Sequence, residues 1–450
     1  MTALVVLFLT GALAALGGLW ASPRAVKEGV RLGLLLALGL LLLAPGSSAF
    51  LGLFVLDNLA RAVGIVAVLA ALLASLVGSR YLEKTGIRAF EYHALLAFSA
   101  MGALAMAATP NLAVILVGLE LLSLPLYALA ALRYDAKSEE AALKYFLLGA
   151  VAAALYFYGL VLYFGATGSF AVGAVGEGPL FAAGMILLLA GLFFKAAMIP
   201  FGWWAPDVYQ GAPTPVTLYM AAGVKAAAFA ALLRVVVGAG YGGAWIAVLA
   251  LVVLLTVVYG NLAALAQAEA KRLLAYSSIA HAGYLALALF GPEPVPALGY
   301  YLLAYALSTG LAFAVLAQLD EGEGVAFGAV QGLIRKSPML AGMLLIALLS
   351  LAGMPPLVGF WGKYLVFVEA ARAGQYALLV IALLTAAVAA YYYLRLAAFA
   401  FFLPPEREEA IEVRPLASFT MGLVAFFILA LGFFPAWGVQ LLFGNGALMR

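Results

Sequence analysis

Apolar stretches such as "IAVLALVVLLTVVYGNLAAL", residues 246–265, recur from one end of the chain to the other. A run of about 18 or more such residues is long enough to cross the hydrocarbon of a bilayer. Lipid offers no hydrogen bonds, so every backbone amide and carbonyl in a spanning segment must be satisfied within the protein, which leaves helices and closed barrels. None of the runs alternates polar and apolar residues as barrel strands do. The fold class is therefore an all-α membrane protein. Composition agrees: 67% of the 450 residues are hydrophobic, 10% are charged and the mean hydropathy is +1.14. A soluble domain carries about 25% charge.

Several functions are excluded at this level. The net charge of +3 is small and its basic residues are dispersed, so no nucleic acid is expected as a partner. With no cysteine the chain forms no disulfide, no thiolate-held iron–sulfur cluster and no cysteine nucleophile. Any redox chemistry linked to this protein is expected in other chains. The start, "MTALVVLFLTGALAALGGLW", has no basic residue before its apolar run and reads as a first spanning helix, not a cleaved signal. Phosphate-binding glycine loops, metal-spaced His or Cys clusters and Ser/His/Asp arrangements have no counterpart, because two histidines cannot supply them.

Charged residues, prolines and glycines divide the sequence into fourteen candidate spans: 2–20, 29–45, 56–78, 91–108, 111–132, 140–165, 179–204, 214–238, 244–265, 272–290, 296–318, 339–371, 375–402 and 416–440. Segment 339–371 is too long for one straight crossing and holds "GMPPLVGFWGK", so it is expected to be one helix broken in the middle. Odd-numbered connections carry 15 basic residues: Arg24, Lys27, Arg31, Arg80, Lys84, Arg88, Arg133, Lys137, Lys271, Arg272, Arg335, Lys336, Arg395, Arg407 and Arg414. Even-numbered connections and the C-terminus carry 4: Arg61, Arg234, Arg372 and Arg450. This asymmetry predicts odd connections in the cytoplasm and both termini outside it.

The four basic residues left over, Lys144, Lys195, Lys225 and Lys363, all fall inside predicted spans. A lysine at the centre of a span costs about 2.5–3.5 kcal/mol on insertion, which several Leu, Ile or Phe can offset but which the lysine does nothing to repay. Glu120 is the one carboxylate deep in a predicted span. Removal from water weakens an ammonium's hold on its proton and strengthens a carboxyl's, so such groups can exchange protons near neutrality, which arginine cannot. Neighbouring helices lie about 8–10 Å apart, a gap that one or two waters bridge. Pro200 and Pro206 near Lys195, and Pro355 and Pro356 near Lys363, predict interrupted helices seven and twelve, a pointer to an inverted-repeat transporter. Two readings stand for Lys144, close to a predicted cytoplasmic end: a proton station, or a side chain snorkelling to the interface. His281 reads as a relay imidazole or a hydrogen-bonded packing group, and His93 as interfacial. The tyrosines of "YYYL" at Tyr391 read as packing or interfacial aromatics.

The segments "FKAAMIPFGWWAPDVYQGAPTPVTLYMAAGVKAAAFA", "GLELLSLPLYALA", "EEAALKYFLLGA", "RLLAYSSIAHAGY", "LAGMPPLVGFWGKY" and "YYYLRL" resemble, in order, the antiporter-like subunit N family of bacterial NADH-quinone oxidoreductase, respiratory complex I. The resemblance spans roughly residues 90–400, and "PDVYQGAP" favours subunit N over its sisters M and L. It implies fourteen transmembrane helices with two inverted five-helix repeats and discontinuous helices seven and twelve. The matching parts are 1–90 (three helices), 91–240 (first repeat), 241–402 (second repeat) and 403–450 (loop and last helix). It implies a proton pathway through Glu120, Lys144, Lys195, Lys225, His281 and Lys363, with Glu120 and Lys195 as a switching pair and Lys363 toward the outer half-channel. FMN, iron–sulfur clusters, NADH and quinone are implied in partner subunits, none in this chain. The implied partners are membrane-arm subunits of A, H, J, K, L and M types, the peripheral arm and membrane lipids, in the bacterial inner membrane. One position departs: family members commonly read PFHxW where this chain has "PFGWW", with Gly202 in place of histidine.

Three rivals use the same residues differently. A cation/proton antiporter subunit would work without redox partners, and a scaffold that has lost conduction would suit Gly202. A solute permease would need a polar substrate pocket beyond the proton stations, which the sequence lacks.

Overall fold

The computed structural model describes residues 1–43, 47–322, 324–406 and 411–444; Arg407 and Arg450, counted among the connecting cations, lie outside the described residues. An N-terminal group comprises α1 (Thr2–Gly17), α2 (Pro23–Leu43), α3 (Asn58–Val77) and the short α4 (Ser79–Lys84). Next come α5 (Ala89–Ala107), α6 (Leu112–Ala131), α7 (Ala136–Thr167), α8 (Gly178–Ala196), α9 (Trp204–Gly211), α10 (Thr214–Tyr219) and α11 (Lys225–Ala239), with a π-helical turn at Met220–Val224 joining the last two. They are followed by α12 (Ala244–Leu265), α13 (Ala270–Leu287), α14 (Pro294–Leu319), the one-turn α15 (Phe327–Val330) and α16 (Leu333–Lys336), α17 (Pro338–Ala352), α18 (Val358–Arg372), α19 (Tyr376–Phe402), α20 (Pro415–Phe433) and α21 (Pro435–Phe443).

Among the described residues, eleven helices are long and apolar enough to cross a membrane, with α10 to α11 counted as one; α1 and α17 are shorter apolar helices. Among the described residues the all-helical expectation has one exception. A ribbon of β1 (Ser48–Phe50) and β2 (Phe54–Leu56) lies between α2 and α3, turning through Leu51 and Gly52, both at positive φ. Three-residue strands are too short to leave a period-two pattern, and the turn lacks the Asn-Gly signal of a hairpin.

The helices differ in what they face. The apolar windows of α3, α10–α11, α13 and α14 are almost wholly buried, whereas α7 and α19 bury about a third of theirs or less. The four buried elements form the centre of the bundle, and α7 and α19 turn Leu, Val, Phe and Tyr outward. Close approach to a central helix relies on small residues: a Cβ on Gly260 of α12 would stand 2.6 Å from the amide nitrogen of Ala280 on α13. Several cations assigned to connections lie inside helices. Arg31, in α2, is buried and bonds Ser75 and Ser79, and Arg395, in α19, donates to the carbonyl of Leu265 at 2.7 Å. Arg61 and Arg234 lie in α3 and α11, and Arg234 pairs with Asp57 at 2.8 Å.

Two helical paths are interrupted, and by the same device. α8 ends at Ala197 in the left-handed region (φ 59°), with the Met198 amide donating to Phe193 O at 2.9 Å and the Ala197 amide to Phe194 O at 3.0 Å. α17 ends at Gly353 (φ 86°), with Met354 donating to Leu349 O at 3.0 Å and Gly353 to Ser350 O at 2.9 Å. Both are Schellman ends, which satisfy the last helical carbonyls by turning the chain back on itself. The sequences Ala196-Ala197-Met198-Ile199-Pro200 and Ala352-Gly353-Met354-Pro355-Pro356 align when the left-handed residues of the two turns are matched. The predicted span 179–204 therefore ends early, at Ala196, and its path resumes as α9; the predicted break in 339–371 falls between α17 and α18. Pro200 and Pro206 mark this stretch in the sequence, and the turn at Ala197 sets where α8 stops.

Candidate proton pathway

Lys195 occupies the last turn of α8, where the carbonyl-rich helix end favours a cation. Its residue is 3% exposed, and its ammonium donates to Ser123 Oγ at 2.7 Å and to Tyr145 OH at 2.9 Å, beneath the rings of Tyr145 and Tyr127. Glu120 lies one turn before Ser123 on α6, and its Oε1 is buried without a hydrogen-bond partner. The two charges share one field, yet Lys195 makes its direct contacts with the hydroxyls and not with the carboxylate.

Lys225 opens α11 immediately after the π-helical turn and is 2% exposed. The extra residue in such a turn rotates the side chains beyond it, and π-bulges are frequent at functional sites. Its ammonium donates to Ser278 O on α13 at 2.5 Å and to Ala196 O at 3.3 Å, the latter at the broken end of α8. The ring of Tyr305 lies 5.7 Å away. Close by, Ser278 Oγ and the Tyr305 hydroxyl are buried facing each other without a well-formed hydrogen bond. Buried polar atoms of this kind are usually met by water, since leaving one unsatisfied costs about 1–3 kcal/mol.

Beyond Lys225, α13 presents His281. Its Nδ1 lies 2.9 Å from Tyr301 OH and its Nε2 lies 3.1 Å from Tyr393 OH, so either tautomer finds a partner at both nitrogens. Tyr393 also contacts Ser277 Oγ. Lys363, near the start of α18, reaches back across the second break and donates to Leu351 O and Ala352 O, both at 2.9 Å. The Tyr284 ring lies 5.3 Å from that ammonium, and its hydroxyl accepts from Asn261 at 2.8 Å. Lys225, His281 and Lys363 thus share neighbouring tyrosines, Tyr305 and Tyr284, in one buried polar band, and Lys195 adjoins it through the Ala196 carbonyl that Lys225 meets.

Lys144 does not join them. It lies on the outer face of α7 with its side chain 42% exposed, paired with Glu140 at 2.7 Å and Asp207 at 2.8 Å. Asp207, in α9, also takes Arg272 at 2.6 Å, so one carboxylate gathers cations from α7 and α13. Sequence reasoning assigned Asp207 no role, although it stands in the "PDVYQGAP" motif; its position in a helix after a predicted break is the signal that could have found it. His93, read from sequence as interfacial, lies in the second turn of α5, fully buried and bonded to Ala89 O at 2.6 Å. Gly202 is accounted for by packing: a Cβ there would stand 2.5 Å from Ala197 O, at the turn that ends α8. A histidine does not fit without moving that backbone. Among the described residues no group of three or more His, Cys, Asp or Glu could hold a metal ion.

Known proteins resemble this chain in sequence and fold. Residues 109–389, the stretch holding both breaks and all the buried lysines of the band, match the family described as "NADH:quinone oxidoreductase/Mrp antiporter, TM". The chain is 52% identical over 424 residues to NADH-quinone oxidoreductase subunit 14 of Thermus thermophilus, covering 94% of this chain and 95% of that protein. The chain belongs to the subunit N family of NADH-quinone oxidoreductase. Subunit N of Deinococcus radiodurans is 40% identical over 460 residues, covering 96% of this chain and 93% of its own. A chain of respiratory complex I from Thermus thermophilus, solved with bound Aureothin, superimposes with a TM-score of 0.90 at 50% identity, covering 99% of this chain and all of that one. This is accordingly a multi-pass, antiporter-like, proton-pumping subunit of the complex I membrane arm.

Proposed function

We propose that protons cross this subunit along Glu120, Lys195, Lys225, His281 and Lys363, with Lys144 at the exposed flank, driven by NADH-to-quinone electron transfer in partner subunits. The observation that carries this reading is Lys225, which joins the broken end of α8 to α13 through two carbonyls while buried in the bundle. A lysine so placed can load and release a proton through water without leaving its site, because carbonyls accept from the ammonium and tolerate the neutral amine. A change in the Glu120–Lys195 interaction alters the field at Lys225 and moves a proton through the His281 tyrosines to Lys363.

The finer architecture belongs to the same reading. The eleven long helices, with α1, α2 and the α17–α18 path, make fourteen crossings. Two five-helix repeats, α5–α11 and α12–α19, are supported by matching details. Each has a Schellman break in its fourth crossing, and each has a lone bridge from the cap of its second helix, Asn111 to Ala171 and Glu269 to Ala326. An odd number of crossings per repeat inverts the second copy. Both termini then face away from the cytoplasm. FMN, iron–sulfur clusters, NADH and quinone belong to the partners, which include the other membrane-arm subunits and the peripheral arm.

The test is NADH-driven proton uptake in vesicles carrying the assembled enzyme with Lys195→Ala or Lys225→Ala. Uptake falls several-fold at normal assembly; full uptake in both variants overturns the route. A free-standing cation/proton exchanger is disfavoured by the 52% identity to subunit 14 over nearly the whole chain.

A further inference from the structure

Where α13 begins and α14 ends, the structure holds a second buried charge pair. Lys271 Nζ lies 3.7 Å from Asp320 Oδ2, and both side chains are 0% exposed. Lys271 donates to Ala212 O at 2.8 Å. Asp320 accepts from the hydroxyl of Thr214, the first residue of α10, and from the amides of Gly322 at 2.9 Å and Gly324 at 3.1 Å. The lysine's shortest bond is thus to a carbonyl, and the carboxylate's partners are mostly neutral. A pair built only for rigidity gains most from direct, charge-assisted contact.

The placement is directional. Lys271 and Ser278 are seven residues apart on α13, two turns, so they share a face about 10.5 Å apart along the axis. Lys225 docks on the Ser278 carbonyl, and the Ser278 hydroxyl is buried beside Tyr305 without a well-formed hydrogen bond. Thr214 and Lys225 likewise belong to one path, through α10 and the π-helical turn. At its other end Asp320 adjoins Glu321, which is exposed and pairs with Lys84 at 2.7 Å, and Gly322, which lies beside Arg133.

We propose that Asp320 and Lys271 form an additional proton station that loads Lys225 from the end of the bundle at Glu321, Lys84 and Arg133. This deepens the pathway proposed above and rests on it. The Lys271 ammonium passes a proton through water along the Ser278 face to the neutral Lys225 amine. The Lys271 amine then regains a proton delivered to Asp320 from the aqueous side, and the pair returns to its ionised form.

The experiment compares Lys271→Arg, Asp320→Asn and Lys225→Arg in vesicles of the assembled enzyme, measuring NADH-driven proton uptake relative to NADH oxidation and to the amount of complex. Arginine keeps the charge of Lys271 but does not release its proton. The expected result is normal assembly of Lys271→Arg with uptake reduced several-fold, and a similar loss in Asp320→Asn. Full uptake in Lys271→Arg beside reduced uptake in Lys225→Arg makes the pair a mere tie between helices and overturns this proposal alone. Full uptake in both arginine variants overturns the pathway itself. If Lys271→Arg fails to assemble, Asp320→Asn decides: assembled with low uptake supports the station, assembled with full uptake rejects it. Failure of both variants to assemble assigns the pair to folding and rejects the station.

Discussion

The two breaks use one backbone turn but place their lysines on opposite sides of it. In the first, Lys195 precedes the turn and points away, to Ser123 and Tyr145, while the broken carbonyl of Ala196 is met by Lys225 from another helix. In the second, the position matching Lys195 is Leu351, and Lys363 comes after the turn and folds back onto the carbonyls of Leu351 and Ala352. A cation near a helix C-terminus gains about 0.3–1 kcal/mol, more when partly buried. The first break spreads that benefit over two lysines that can influence one another, and the second concentrates it on one. The first arrangement suits a relay between charges, and the second suits a terminal site.

The comparison breaks most severely at the glycines beside each turn. A Cβ on Gly359 would stand 1.9 Å from Ser350 O, and one on Gly202 2.5 Å from Ala197 O. Both obstacles are backbone, so neither can rotate aside. Gly359→Ala is expected to cost about 3 kcal/mol or more, at the upper end of overpacking, and Gly202→Ala about 1–3 kcal/mol. Yield of assembled complex and thermal inactivation measure the difference. Gly202→His is expected to lose assembly without gaining uptake; uptake above the parent would show that the turn yields.

A smaller effect separates the two sites functionally. Lys363→Arg keeps the charge on the Leu351 and Ala352 carbonyls but holds its proton, so uptake should fall while thermal stability changes little. Lys363→Met leaves both carbonyls without their donor and should lower stability as well. Equal stability in the two variants would show that the carbonyl contacts contribute nothing to holding the break.

The sequence exposes these features unevenly, for physical reasons. Lipid forbids unsatisfied backbone, so apolar runs reveal the spans, and the prolines at 200, 206, 355 and 356 reveal both breaks. A charge within such a run is costly, so Lys195, Lys225 and Lys363 are conspicuous. Their partners are not: Ser123, Tyr145 and Tyr393 are ordinary residues in membrane helices, and only packing shows which ones an ammonium reaches. Asp320 hides in "LAQLDEGEG", which reads as a solvated connection, and Lys271 counts in sequence as a connecting cation although its side chain is completely buried. Arg31 misleads in the same way, because its hydroxyl and carbonyl partners at Ser75 and Ser79 are remote in sequence.

Ala197 offers a mild way to make the first turn more like the second. It holds φ 59° with a side chain, where Gly353 holds φ 86° without one. An alanine in this region carries about 1–2 kcal/mol of steric cost, part of which glycine returns as chain entropy. Ala197→Gly should therefore raise thermal stability by roughly 1 kcal/mol or less. A fall would mean that the Ala197 methyl packs usefully against its neighbours.

The smallest effect is expected outside the breaks, where Arg414, just before α20, grips Glu83 of α4 through two hydrogen bonds, one of 2.9 Å. The Arg414 guanidinium holds the Glu83 carboxyl below its ordinary value. A carboxylate whose folded value is depressed stabilises the fold above its unfolded value, and that contribution disappears as pH falls through the folded one. The tie is thus intact at neutral pH and lost in acid. Both side chains are about half exposed, so solvent and salt screen the pair to well under about 1 kcal/mol. Glu83→Gln should shift the thermal midpoint slightly at neutral pH and low salt, and not at all in acid or high salt. A large shift that survives high salt would mean that this exterior clasp, and not the two breaks, governs the stability of the bundle.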